Sequence, residues 1–292
     1  MQPNQPPTQV PDAIKGMLNN TGIFLEGKVH AALQKKHFAV RREEPYQLIT
    51  AAGELVGTID VLAVCHTGAG FDLCLCIECK KANPEQKHWV FEKGERVDRN
   101  AQYPQEEYGF IFYNEAAKRA DYATTMQFSA LGYTPKEPFE RALQAFEFNE
   151  TKGSLSRNSE EKAYNAIQQA NRALAGINPN SHPDRLLQVL DTNESRNVLY
   201  LPVVVTTANL WVVEYLPEHV GWKDGTIDIK DLGAQSKNSV HYAFPLPLSL
   251  QVDGGAAGTP NKRPTFIVNS QSFETFIEKL LLGCMASTHS RS

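Results

Sequence analysis

A chain of 292 residues, 41% hydrophobic and 21% charged, has the make-up of a globular protein with a sizeable core, in one large or two small domains. A formal net charge of −4 excludes a protein-wide basic field for non-specific nucleic-acid binding, though not a local basic groove. Five cysteines, four of them between positions 65 and 79, make no disulfide framework and read as free thiols. Residues 1–20 open in a Pro- and Gln-rich stretch expected to be disordered. Residues 22–36 then predict a helix, because Phe24, Leu25, Val29, Ala32 and Leu33 recur at helical spacing. Glu26 sits on its flank, where a solvated acid is the simplest reading, and His30 follows one turn on. Alternation across 38–50 predicts a first strand, and 51–54 turn the chain into a second.

That second strand, 58–64, is apolar and β-branched yet carries Asp60. A Gly-rich turn leads to a third, 71–80, which is apolar until it ends in Glu78-Cys79-Lys80. Side chains alternate along a strand, so Glu78 and Lys80 share a face and Cys79 takes the other. Charged groups in strands that otherwise read as buried are costly unless paired or bound to a metal. Two carboxylates can hold a hard cation such as Mg²⁺ through oxygen, and an ammonium beside them can steady an attacking water or the charge on a phosphate. The plain alternative is a buried acid neutralised by Lys80 as a salt bridge.

The cysteines argue against zinc. Alternation places Cys74 and Cys76 on one face and Cys79 on the other, and no paired Cys-x-x-Cys occurs elsewhere. A Cys79 nucleophile would need a histidine that the sequence does not place, so small buried thiols are the better reading.

From 81 to 99 the charges are mixed, with Lys81, Lys87, Lys93, Arg96 and Arg99 set against Glu85, Glu92, Glu95 and Asp98. His88, Trp89 and Phe91 are interleaved, giving either a phosphate-tracking surface with stacking rings or a face packed through Trp89 and Phe91. Residues 102–149 are aromatic-rich and predict helix from Glu115 and from Glu137. After a polar loop, Ala163, Ala166, Ile167, Ala170 and Leu174 define a strong helix over 160–174. Segments 198–206 and 210–215 predict a strand pair that extends the sheet, and Pro202, Asn209 and Glu214 exclude a membrane span there. Residues 218–238 read as loop, 240–244 as an edge strand, 265–268 as a last strand, and Phe273, Phe276, Ile277, Leu280 and Leu281 as a closing helix.

Asp60, seventeen residues, then Glu78-x-Lys80 across two consecutive strands resembles the PD-(D/E)xK nuclease superfamily. The resemblance covers about 24–80. The family's Pro is absent, since Ile59 precedes Asp60. It implies an α/β, restriction endonuclease-like core, a mixed central sheet flanked by helices. That core would be one domain over 21–285, with an insertion at about 102–158 and a flexible tail at 286–292. It implies a Mg²⁺-dependent nuclease, Mn²⁺ substituting, with Asp60, Glu78 and Lys80 catalytic. Asp60, Glu78, the Cys79 carbonyl and Glu26 would serve the metal. A later helix in such families carries a site glutamine, for which Gln169 and Gln168 are the matches, with Lys81 beside them for substrate; a plain surface glutamine is the alternative.

DNA is favoured over RNA as the partner. A homodimer would let two sites cut two strands. With no apolar run in 1–11, the expectation is a cytoplasmic protein without membrane association. The competing readings are a catalytically inactive nucleic-acid-binding or scaffold protein of the same fold, and an RNA or nucleotide phosphodiesterase.

Overall fold

The computed structural model describes residues 21–50, 53–67, 71–82, 87–93, 110–114, 119–123, 141–149, 154–155, 157–177, 197–245 and 262–286. The expected tail at 1–20 and all of the tail at 286–292 except Ala286, which ends a helix, lie outside the described residues, as do Glu85, Glu95, Arg96, Asp98 and Arg99. Among the described residues no helix is long and apolar enough to cross a membrane.

The chain begins with α1 (Ile23–Lys35), then β1 (Ala39–Thr50), β2 (Gly53–His66) and β3 (Phe71–Lys80). These three strands pair antiparallel in sequence order, as their patterning predicts. Strands β4 (His88–Lys93), β5 (Phe110–Asn114), β6 (Arg119–Ala123), β7 (Arg141–Asn149) and β8 (Ser154–Leu155) follow. Helix α2 (Arg157–Ile177) then crosses to β9 (Asn197–Thr206), which lies parallel to β3. The chain closes with β10 (Asn209–Glu214), β11 (Gly233–Lys237), β12 (Ser239–Pro245), β13 (Lys262–Asn269) and α3 (Phe273–Ala286). The result is α/β, with one mixed sheet in the order β1-β2-β3-β9-β13-β12-β7-β4-β10-β11 and helices on its faces.

Strand alternation sorts the core into layers. Val61, Ala63, Leu73, Leu75 and Ile77 pack with Leu25, Val29 and Leu33 of α1 and with Phe273, Ile277 and Leu280 of α3. On the other face Leu62, Val64, Cys74 and Cys76 meet Ala173, Leu174 and Ile177 of α2. The five inward residues expected of the second helix are all fully buried. Cys79 belongs to the α1 layer and Cys74 and Cys76 to the α2 layer, as alternation requires, and all five cysteines are free.

Where α2 ends it touches the β1–β2 hairpin through Tyr46, whose ring lies between two glycines. A Cβ on Gly57, its cross-strand partner, would fall 2.6 Å from the ring, and one on Gly176 would fall 3.0 Å from both the ring and the Gln47 carbonyl oxygen.

Four expectations are corrected. Residues 119–123 and 141–149 are strands where helices from Glu115 and Glu137 are predicted, because β7 fills a place in the main sheet between β12 and β4. β9 and β10 are consecutive but not paired: β9 sits between β3 and β13, while β10 lies between β4 and β11. β12 is no edge, having β13 on one side and β7 on the other. Residues 233–237, expected as loop, form β11 along β10.

Candidate active site

The site arises where β2 and β3 part. Their pairing ends at Val61–Ile77, while β3 stays paired to β9 as far as Lys80. Past Ile77 the edge of β3 that faced β2 therefore needs a new acceptor. Asp60 supplies it: the Cys79 backbone N–H donates to Asp60 Oδ2 at 2.6 Å. The alternation of β2 breaks at this residue, because Ile59 packs in the α2 layer and Val61 in the α1 layer. Opposite Asp60, the β1–β2 ladder skips Glu43, whose φ of 52° lies in the left-handed region that bulky residues avoid. This backbone irregularity aims the carboxylate at the end of β3 instead of along the sheet.

Glu78 and Lys80 share a face as predicted, and Lys80 Nζ lies 2.6 Å from Glu78 Oε1. The Glu78 side chain is 3% exposed and Lys80 33%, so the acid is buried beneath a lysine that reaches solvent. Glu78 Oε2 has no hydrogen-bond partner. The Thr207 N–H donates to the Lys80 carbonyl, and the Ala82 N–H donates to Thr207 Oγ1, which fixes the backbone on both sides of Lys81.

Glu26 comes from the first turn of α1, where the helix dipole favours an acid. Its Oε2 accepts from Arg42 Nη2 of β1 at 2.9 Å, and the same nitrogen points at the Ile23 carbonyl. Gly22 lies against the site: a Cβ there would stand 3.5 Å from both the Cys79 carbonyl oxygen and Glu26 Oε1.

The acids disturb one another. Burial, and then the charge of Asp60, push the Glu78 carboxyl up to about 7, against the pull of Lys80. Asp60 is also raised, by burial first; the Cys79 N–H opposes this, while Glu26 and Glu43 add to it. The Cys79 thiol is raised well above its ordinary value, first by burial, which removes it as a nucleophile near neutral pH.

A cleft of about 660 Å³ opens over these groups. Glu26, Asp60, Cys79, Lys80 and Lys81 line one side with Gly22, and Lys162, Asn165, Gln168, Gln169 and Arg172 of α2 line the other. Of the site residues that the resemblance implies, Glu78 alone is absent from the lining, since it lies under Lys80. His30 is half-buried and takes no part in the lining. Trp89 and Phe91 are core side chains, 1% and 0% exposed, so the stacking surface proposed for 81–99 is not formed by them.

Sequence reasoning missed Lys162, Asn165, Arg172 and Arg42. The first three recur beside the alanine stripe of α2 at helical spacing, which was the available signal. Arg42 had none.

The donor set is all oxygen, the carboxylate of Asp60 and the unpartnered Glu78 Oε2 with the Cys79 carbonyl and Glu26 close by, which suits a hard divalent cation. Among the described residues, however, no three His, Cys, Asp or Glu side chains stand in metal-ligand geometry. No family model, curated protein or solved structure matches the chain.

Proposed function

We propose that this chain is a metal-dependent nuclease of the PD-(D/E)xK, restriction endonuclease-like type, hydrolysing phosphodiester bonds, with DNA as the first substrate to test. The observation that carries the reading is the meeting of Asp60, Glu78 and Lys80 at the parted ends of β2 and β3, under an open cleft. Support also comes from α1 followed by three antiparallel strands and, after the intervening β4 to β8, from α2 leading into β9 parallel to β3.

Asp60, Glu78 Oε2 and the Cys79 carbonyl would hold Mg²⁺, with Glu26 next to them. The cation, when bound, would lower the pKa of a water and screen the phosphate. Lys80 can turn from Glu78 toward the cleft, where its ammonium holds a water in line or offsets charge on the phosphate. The amides of Gln168 and Gln169 face the same space and can fix the strand.

A second reading, a nucleic-acid-binding or scaffold protein of the same fold without catalysis, draws on there being no ready three-ligand cage among the described residues. One experiment separates them. Plasmid, single-stranded DNA and RNA are incubated with Mg²⁺, Mn²⁺ or EDTA, using wild type, Asp60→Ala and Lys80→Ala. The nuclease reading expects metal-dependent cutting that falls at least about a hundredfold in both variants. Binding of nucleic acid without cutting under any condition would select the second reading, and preferential cutting of RNA would select a ribonuclease.

A further inference from the structure

Four residues of α2 repeat at helical spacing along the cleft: Lys162, Asn165, Gln169 and Arg172. The inward face of the same helix is alanine-rich and fully buried, so this polar stripe is not needed to hold α2 on the sheet. None of Lys81, Lys162 and Arg172 has an acidic partner among the described residues, whereas Lys80 is neutralised by Glu78. One wall of the cleft thus holds Asp60 and Glu26 beside Lys80 and Lys81, and the other holds two cations without acidic partners among the described residues, with amides between them.

From Lys162 to Arg172 the helix rises about 15 Å, at about 1.5 Å per residue. Phosphates rise about 3.4 Å per nucleotide along one strand of a duplex and lie further apart in an extended one. The stripe can therefore meet successive phosphates on either side of one placed over Asp60. A cleft of about 660 Å³ is in the range that encloses a small ligand, so it admits a short run of one strand. The net charge of −4 supplies no wider basic field to hold a duplex outside the cleft.

We infer that the α2 stripe is a backbone-reading track for a single nucleic-acid strand, with Lys162 and Arg172 on phosphates flanking the scissile one and Asn165 and Gln169 donating to the phosphates between. The track rests on the nuclease reading. It adds the substrate class, a single-stranded polyphosphodiester gripped without regard to base.

Salt dependence tests it. The full chain is titrated with a fluorescein-labelled oligothymidylate of about 12 nucleotides, with the RNA counterpart and with a duplex of equal length. Each titration is run across salt concentrations, in EDTA and in Ca²⁺, and cutting is assayed alongside in Mg²⁺. Lys162→Gln and Arg172→Gln remove one charge each while keeping a long stem, so the helix is preserved. Each is expected to weaken single-strand binding roughly tenfold. Each should also flatten the slope of log K against log salt by about 0.7, and both together by about twice that. Asn165→Ala and Gln169→Ala should weaken binding with the slope unchanged, because they carry no charge.

Single-stranded DNA and RNA bound alike and above duplex would support the track, and preferred binding of duplex would overturn it. Wild-type cutting, with the salt slope of binding unchanged in both charge variants, would overturn the track and leave the nuclease standing. Neither binding nor cutting of any probe by wild type would overturn both.

Discussion

The Cys79 N–H and Asp60 Oδ2 lie 2.6 Å apart, and this bond replaces the ladder hydrogen bond that β2 no longer offers to β3. One carboxylate thus finishes the sheet and faces the cleft, so its structural and chemical roles should separate by substitution. Asp60→Asn retains an acceptor and should stay within about 1 kcal/mol of wild type in stability, whereas Asp60→Ala leaves the N–H unsatisfied and should lose about 1–3 kcal/mol. Urea unfolding at neutral pH measures both. Equal losses would mean that the bond is not what holds the end of β3.

Glu78 makes the metal-free protein sensitive to pH. Its folded carboxyl sits near about 7, above its ordinary 4.5, so the folded state holds the proton more tightly than the unfolded chain. Between those values the folded state binds more protons, and stability falls as pH rises. This penalty is absent below about 4.5 and complete above about 7. Glu78→Gln should therefore stabilise the chain at pH 8 in EDTA by up to about 3 kcal/mol, with the gain shrinking toward pH 5. Added Mn²⁺ should stabilise wild type more than the variant. A gain independent of pH would show that burial of charge at Glu78 is not the cause.

Arg42 competes with any cation for Glu26. The pair is partly exposed, 34% on the arginine side, so Arg42→Gln should alter stability by less than about 1 kcal/mol. With the guanidinium gone, Glu26 adds its full charge to that of Asp60, and Mn²⁺ should bind several-fold tighter by calorimetry. Weaker binding would instead make Arg42 the group that positions Glu26.

Tyr46 requires both glycines beside it. Gly57→Ala places a methyl 2.6 Å from the ring of a buried tyrosine, and overpacking of this kind should destabilise by about 1–3 kcal/mol. Thermal unfolding of Gly57→Ala beside Gly57→Ala/Tyr46→Ala checks the origin, since the second change should recover part of the loss from the first.

The front half of the chain was legible because it obeys short-range rules. Helical spacing marked Leu25, Val29 and Leu33, and period-two patterning marked β3 to the residue and put Glu78 beside Lys80. Asp60 was visible as a charge in an apolar strand, but the twist that turns it toward Cys79 was not, because it depends on a φ at Glu43 across the ladder. The strands between β3 and α2 escaped for another reason. β5–β6 and β7–β8 pair locally, but β4, β5 and β7 are placed in the sheet by β10, β9 and β12, at least 85 residues later (Tyr113 to Val198 is the nearest pair), and pairing over such distances leaves no local pattern. Trp89 and Phe91 were ambiguous on the same ground, since the cluster they join draws on α2, β10 and β12, which come later in the chain.

The sheet has a seam. Among the described residues β12 and β7 share two residue pairs, His241 with Arg141 and Tyr242 with Ala142, whereas β3 and β9 share ten. Asp60, Glu78 and Lys80 stand on the well-paired side, and β7, β4, β10 and β11 hang together beyond the seam. A partial opening there would release the outer strands first, so amide exchange should be faster in β10 and β11 than in β2, β3 and β9. The reactive groups thus sit on the half of the molecule that would be last to come apart.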